Sequence, residues 1–210
     1  MKKVIISLLL SLLCVSSFTQ HTISINHKQY QTLFDTVLKY PIQVKWILTK
    51  NSIICDTKYS RTDKFVPDPL LYKHTDLYKD YSRSGYDRGH NFPAADGSCD
   101  STAMRESFFF SNMTPQDPTV NRGDWKELEE ATRTLVAKYD SVKVWCGSWG
   151  SLKKIGRVTV PTDCWKVIYI VKTKQWLAYH FYNVKNNSVG IKAHEVPLSY
   201  IQKQTKLKFK

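Results

Sequence analysis

The chain contains no Cys-x-x-Cys pair, no internal repeat, no low-complexity tract and no inter-domain linker. The first absence leaves a thiolate zinc site with little support. The others exclude a solenoid or a string of modules. Beyond the N-terminal stretch no hydrophobic run reaches membrane length, so a mature chain is expected to be soluble. Acidic residues are scarce: 18 Asp and Glu stand against 31 Lys and Arg, a formal charge of +13. That shortage favours an anionic partner, whether nucleic acid, an anionic surface or an acidic polymer. What is present, 210 residues with 42% hydrophobic content, suffices for one domain with a full core.

The N-terminus reads as an export signal. Lys2 and Lys3 precede an apolar run over Val4 to Val15 that serine interrupts, and Ser16, Ser17 and Thr19 supply small residues for cleavage near Thr19 or Gln20. Residues 1–20 are therefore expected to be a signal peptide and 21–210 a single domain, secreted or periplasmic. The alternatives are an uncleaved anchor and a lipoprotein modified at Cys14, although Leu13 stands where lipid attachment wants a small residue. Export permits disulfides, and Cys55, Cys99, Cys146 and Cys164 allow three pairings. Cys146 with Cys164, in neighbouring predicted strands, is the first choice.

Along the chain, His21 to Tyr30 reads as an extended lead-in and Ile42 to Leu48 as a strand, which Asn51 to Asp56 continues into a hairpin. Lys58 to Arg83 has no clean period and contains Pro67 and Pro69, so it reads as a long surface excursion. Ser101 to Phe108 has helical potential, Phe108 to Phe110 is a core run, and Ser111 to Asp117 is a polar turn. Asn121 to Asp124 reads as a loop ending in an N-cap at Asp124. Trp125, Leu128, Thr132, Leu135 and Val136 then give one apolar helical face over Trp125 to Tyr139. Strands follow at 142–146, 157–160, 165–172 and 176–182, and a short helix closes the chain over 197–206.

The chemistry gathers around Asp87-Arg88-Gly89-His90, an acid, a guanidinium, a glycine and an imidazole in consecutive positions. Arg88 can grip two phosphate oxygens. His90 can act as a general base near neutrality. Gly89 allows close backbone approach or a positive φ. Phosphodiester hydrolysis needs such a base, a cation for the transferring phosphoryl group and help for the leaving oxygen. Asn121 offers a neutral amide oxygen and Glu129 a carboxylate, both suited to magnesium. Eight residues of one helix span about 12 Å, so the pair converges only if Asn121 lies before the helix. The plainer readings are a turn residue for Asn121, a solvated helix face for Glu129, and a helical salt bridge between Glu129 and Arg133. His74, His180 and His194 read as structural or surface residues.

The run Asp87-Arg88-Gly89-His90-Asn91-Phe92-Pro93-Ala94-Ala95-Asp96 resembles the signature of the DNA/RNA non-specific endonucleases, a family of the ββα-metal superfamily that includes endonuclease G. Ser111 to Gln116 resembles its second motif. Asn121-Arg122-Gly123-Asp124-Trp125, with Glu129 and Arg133, resembles its metal helix. Gln202 and Lys206 depart from the pattern, which commonly has an acid and a glycine there. The resemblance implies an α+β domain in which a central antiparallel sheet is flanked by helices, with a ββα-metal active site. It implies that His90 activates water, Asn121 ligates Mg2+ directly (Mn2+ substituting), and Glu129 supports the ion through a water and assists protonation of the leaving group. Asn112 orients the site, Arg88 stabilises the transition state, and Arg61, Arg88 and Arg133 meet or support substrate. Asp87 is structural. The implied partners are DNA and RNA, with a homodimer and an inhibitor protein admitted and no stable membrane association after signal cleavage. The implied products carry 5′-phosphate and 3′-hydroxyl ends. The alternative is a non-catalytic, basic nucleic-acid-binding protein on the same scaffold.

Overall fold

A computed structural model of the chain describes residues 21–185 and 189–210; the expected signal peptide lies outside the described residues. In chain order the elements are β1 (Thr22–Asn26), β2 (Tyr30–Asp35), β3 (Tyr40–Thr49), α1 (Lys50–Ile53), α2 (Tyr72–Thr75), α3 (Tyr78–Tyr81), β4 (Asp87–His90) and α4 (Ser101–Glu106). They continue as β5 (Met113–Gln116), α5 (Pro118–Arg122), α6 (Asp124–Tyr139), β6 (Ser141–Trp149), β7 (Lys153–Ile155) and β8 (Val158–Val160). Last come β9 (Asp163–Ile170), β10 (Gln175–Tyr182) and α7 (Leu198–Thr205).

Six strands form one sheet in the order β1-β2-β3-β6-β9-β10, and every pairing in it is antiparallel. This is the expected α+β architecture. Alternation along β3 explains how the sheet is covered on both faces. Val44, Trp46 and Leu48 point inward and join Val142, Val144 and Ile168 under α6. Lys45 and Ile47 point to the other face and are exposed. On that outer face Trp145, Trp165 and Val167 receive Ile201 of α7 and Phe209. Helix α6 buries Trp125, Leu128, Thr132 and Val136. Full burial of a large apolar side chain is worth about 1.5–3 kcal/mol, so this face holds the helix in place.

Several expectations are corrected. The lead-in is a hairpin of β1 and β2, because Ile25, Tyr30, Phe34 and the fully buried Thr32 give it an inward face. Residues after Thr49 form the short helix α1, not a hairpin. The excursion over 58–83 is anchored: Asp68, Leu71, Thr75, Leu77 and Tyr81 are buried. Burial alone would raise the Asp68 carboxyl, but His27, Ser111 and the Leu70 N–H outweigh it and hold it below the usual range. The N-cap of α6 is Gly123, and Asp124 instead accepts from Val189 N, Gly190 N and His194 Nε2. The departure at Lys206 falls on the C-cap of α7 at φ 59°, the left-handed conformation glycine adopts without strain.

The disulfide joins Cys55 to Cys99, and Cys146 and Cys164 are buried free thiols. Register explains the correction. Cys146 lies opposite Lys166 and Cys164 opposite Ser148, so the two thiols are diagonal neighbours and not a facing pair. The observed bond closes a segment of sequence separation 44 that carries Arg61, Arg88 and His90. Closing a loop of that size stabilises by roughly 2–4 kcal/mol through the unfolded state. Cys55→Ser with Cys99→Ser is expected to lose about that much in a urea titration, with no loss expected on reduction of the double variant.

Candidate active site

Two short strands build the first wall. β4 and β5 pair antiparallel, with Arg88 opposite Pro115, Gly89 opposite Thr114 and His90 opposite Met113. The segment expected to be a polar turn is thus strand β5, in which Pro115 sits on a two-stranded ribbon and needs no ladder donor. Gly89 is not at positive φ. A Cβ there would lie 2.0 Å from Gln116 Oε1 and 2.7 Å from its Cγ, so the glycine makes room for the Gln116 side chain and not for a ligand.

His90 sits between aromatic rings, 5.0 Å from Phe108 and 5.7 Å from Phe65. It is 8% exposed, and its buried Nε2 has no hydrogen-bond partner among the described residues. Burial, then the Arg61 charge, push its pKa down to about 3, against a smaller upward pull from Asp63 and a backbone hydrogen bond at Arg88. The ring is therefore neutral at physiological pH. Arg88 lies over two rings, 5.0 Å from Phe65 and 5.1 Å from Tyr78, and its buried Nε also lacks a partner.

The opposite wall comes from α5 and α6. Asn121 is in α5, not in a loop, and the chain breaks at Gly123 (φ −97°, ψ −117°) before α6 begins. That break brings Asn121 and Glu129 to one cavity of about 390 Å³, which His90, Arg61, Arg88 and Arg133 also line. Asn121 Nδ2 donates to Asp87 Oδ2 at 2.9 Å, which leaves its amide oxygen as the acceptor for a ligand. Arg122 clamps the same carboxylate from Nε (2.8 Å) and Nη2 (2.6 Å). Burial raises the Asp87 carboxyl, but those hydrogen bonds and the charges of Arg122 and Arg88 outweigh it and hold it low. The expected structural role of Asp87 thus has a definite form: it aims Asn121.

Glu129 is not on a solvated face, and its partner is not Arg133. Its side chain is 16% exposed and its Oε1 lies 3.9 Å from the ammonium of Lys166, itself 1% exposed on β9. Burial pushes its pKa up to about 7, with Asp96 adding and Lys166 and Arg133 opposing. Arg133 pairs with the buried Asp96 at 3.1 Å, whose other oxygen accepts from Trp46 Nε1. Lys166 also stands 4.1 Å over the Trp125 ring. Sequence reasoning missed Lys166, which reads there as one polar residue in an otherwise apolar strand.

Asn112 does not line the cavity. It is fully buried, accepts from Phe92 N (2.8 Å) and donates to Phe92 O (2.9 Å) and Ser107 O (2.8 Å). It fixes the turn that follows His90. Arg61 reaches the cavity rim, exposed and paired with Asp63 at 2.6 Å. His180 and His194 make buried pairs with Asp163 (2.6 Å) and Asp124 (3.0 Å), away from the cavity lining.

The cavity fits a hard cation. Its donors are a neutral amide oxygen and a carboxylate, and among the described residues no three His, Cys, Asp or Glu side chains converge on one point. Such a set suits a divalent ion that keeps most of its water.

The DNA/RNA non-specific endonuclease family matches residues 13–210, and the chain belongs to that family. It is 34% identical over 168 residues to "Nuclease 1, mitochondrial" of Schizosaccharomyces pombe, covering 71% of this chain and 51% of that one. It is 41% identical over 117 residues to a nuclease of Nostoc sp., covering 53% of this chain and 42% of that one. A chain of the crystal structure of the EndoG/EndoGI complex superposes with TM-score 0.80 at 27% identity, covering 89% of this chain and 84% of that one. The chain spans about half the length of these curated relatives. The superposed structure shares the mixed fold with its central antiparallel sheet.

One consequence for stability follows from His90. Its folded pKa lies below that of the unfolded chain, so the unfolded state binds the proton first as pH falls. Stability of the metal-free protein is expected to decline from pH 6.5 downward until the folded pKa is passed. Urea midpoints measured across that range should show a shallower decline in His90→Ala.

Proposed function

We propose that this protein is a magnesium-dependent endonuclease that hydrolyses phosphodiester bonds of both DNA and RNA. The observation that carries this reading is the neutral imidazole of His90 lining one cavity together with Asn121, Glu129 and the arginines. A neutral imidazole at the wall of a cavity can take a proton from a water that enters. His90 removes the proton from a water, whose oxygen attacks phosphorus as the 3′ oxygen departs and takes up a proton from Glu129 or from a water that Glu129 holds, leaving 5′-phosphate and 3′-hydroxyl ends. Arg88, with an unpartnered Nε and its plane held by two rings, stabilises the charge on the phosphoryl oxygens. Arg61 contacts the flanking backbone, and Arg133 supports the floor through Asp96. Asn121 would hold Mg2+ directly and Glu129 through water, with Mn2+ able to replace it; the ion supplies Lewis-acid stabilisation of the leaving oxygen. Asn112 acts by positioning the turn that carries His90.

Plasmid DNA and structured RNA are both expected to be degraded with magnesium and spared with EDTA. His90→Ala is expected to retain binding while losing about 10²–10⁴-fold in rate. Full activity in that variant removes the proposed base. Binding without cleavage in any divalent metal would favour the non-catalytic reading. An inhibitor protein is a partner to expect, given the EndoG/EndoGI complex, and a second copy is the other.

We also propose export, to the periplasm or the medium. The charged and apolar start of the chain supports it, as does the Cys55–Cys99 bond, a type of link that reducing cytosol does not sustain. Two tests bear on it: the mature protein should begin near Gln20 or His21 when its N-terminus is sequenced, and it should be recovered outside the cytoplasm. Recovery in the cytoplasm with Met1 or Lys2 first would overturn the proposal.

A further inference from the structure

We infer that the outer face of the sheet, across from the catalytic cavity, is a second binding site for nucleic acid. A groove of about 530 Å³ runs there over β2, β3 and β6 and is bordered by Lys45, Lys143, Lys208 and Lys210. Among the described residues no Asp or Glu lines it. Lys45 sits between Gln31 of β2 and Trp145 of β6 in register, so an ammonium, an amide and an indole share one row. Lys143 is in the neighbouring row, opposite Ile47. The rim lysines are held in place, because Phe209 between them is buried 5.7 Å from both Trp145 and Trp165. α6 and the catalytic cavity lie on the inner face, so a strand in the cavity does not pass through this groove.

Charge selects the occupant. A second copy docked on a two-fold axis would set these lysines against their own equivalents, which like-charge repulsion opposes. A phosphodiester backbone supplies the missing negative charge, amides can donate to its oxygens, and the indole can meet a base or sugar. The choice of nucleic acid over other polyanions rests on the nuclease reading, but the binding it predicts needs no cleavage. A chain with sites on both faces would stay on a long polymer after each cut.

The test uses the full chain in EDTA, where no cutting is expected, with fluorescent duplexes of about 12 base pairs and a salt series. The wild type should bind two duplexes per chain and Lys45→Ala/Lys208→Ala one. In the wild type the affinity of the weaker class should fall with rising salt with a log–log slope of about −2 or steeper, and Lys45→Arg/Lys208→Arg should keep both that class and its slope. Both side chains are exposed, and thermal melts identify any unfolded variant. With magnesium, cleavage of a short oligonucleotide should be unchanged, which separates this site from the proposed catalytic one. Equal stoichiometry and slope in wild type and alanine variant would overturn the inference. So would a variant that loses only binding to anionic phospholipid vesicles, or only self-association, while duplex binding stays intact.

Discussion

Everything at the catalytic end depends on one buried ammonium. Lys166 is 1% exposed on β9, the strand next to the sheet edge, and a charge buried there is tolerable only when it is paired and shielded. Glu129 provides the pair and the Trp125 ring the shield, both from α6. Beside them Arg133 and Asp96 form a second pair. Behind the cavity two cations thus face two carboxyl groups, both of which burial pushes toward the neutral form. Removing either carboxyl leaves a cation unpaired, so α6 is held in rotation and height by electrostatics as well as by its apolar face.

That arrangement gives Glu129 two tasks. It pairs with Lys166 and it faces the cavity, so its carboxylate is tethered from behind while it remains available in front. The other side of the site is organised by hydrogen bonds. Asp87 holds Asn121, Asn112 holds Phe92, and Trp125 Nε1 donates to His90 O at 3.3 Å, stitching α6 to β4. The proposed base and metal ligands thus stand on β4, α5 and α6, joined by short polar links.

Much of this was legible in the sequence. The apolar face of α6, the strands β6, β8, β9 and β10 and the closing helix follow from periodicity, whereas β7 does not, and the cavity collects His90, Arg88, Asn121, Glu129, Arg61 and Arg133, which the motifs had singled out. What escaped has physical reasons. β1 and β2 are short and mostly polar, so their pairing is visible only once the sheet exists. Gly89 reads as backbone freedom until the Gln116 side chain is seen beneath it. The Cys55–Cys99 bond depends on where two irregular segments meet, which no local pattern encodes. Lys166 is apparent only from burial, and the helical spacing of Glu129 and Arg133 suggested a bond that each makes with another partner.

The alternation of β3 has a further consequence. Val44, Trp46 and Leu48 back the catalytic half of the molecule while Lys45 and Ile47 face the far groove, so one strand serves both sides through the parity of its residues. Inserting or deleting a single residue there would exchange the two sets, burying Lys45 and exposing Trp46. Substitutions can tune either face of β3 independently, but changes of length cannot. Divergence among related chains is therefore expected to place its insertions and deletions in the connections and leave the length of this strand fixed.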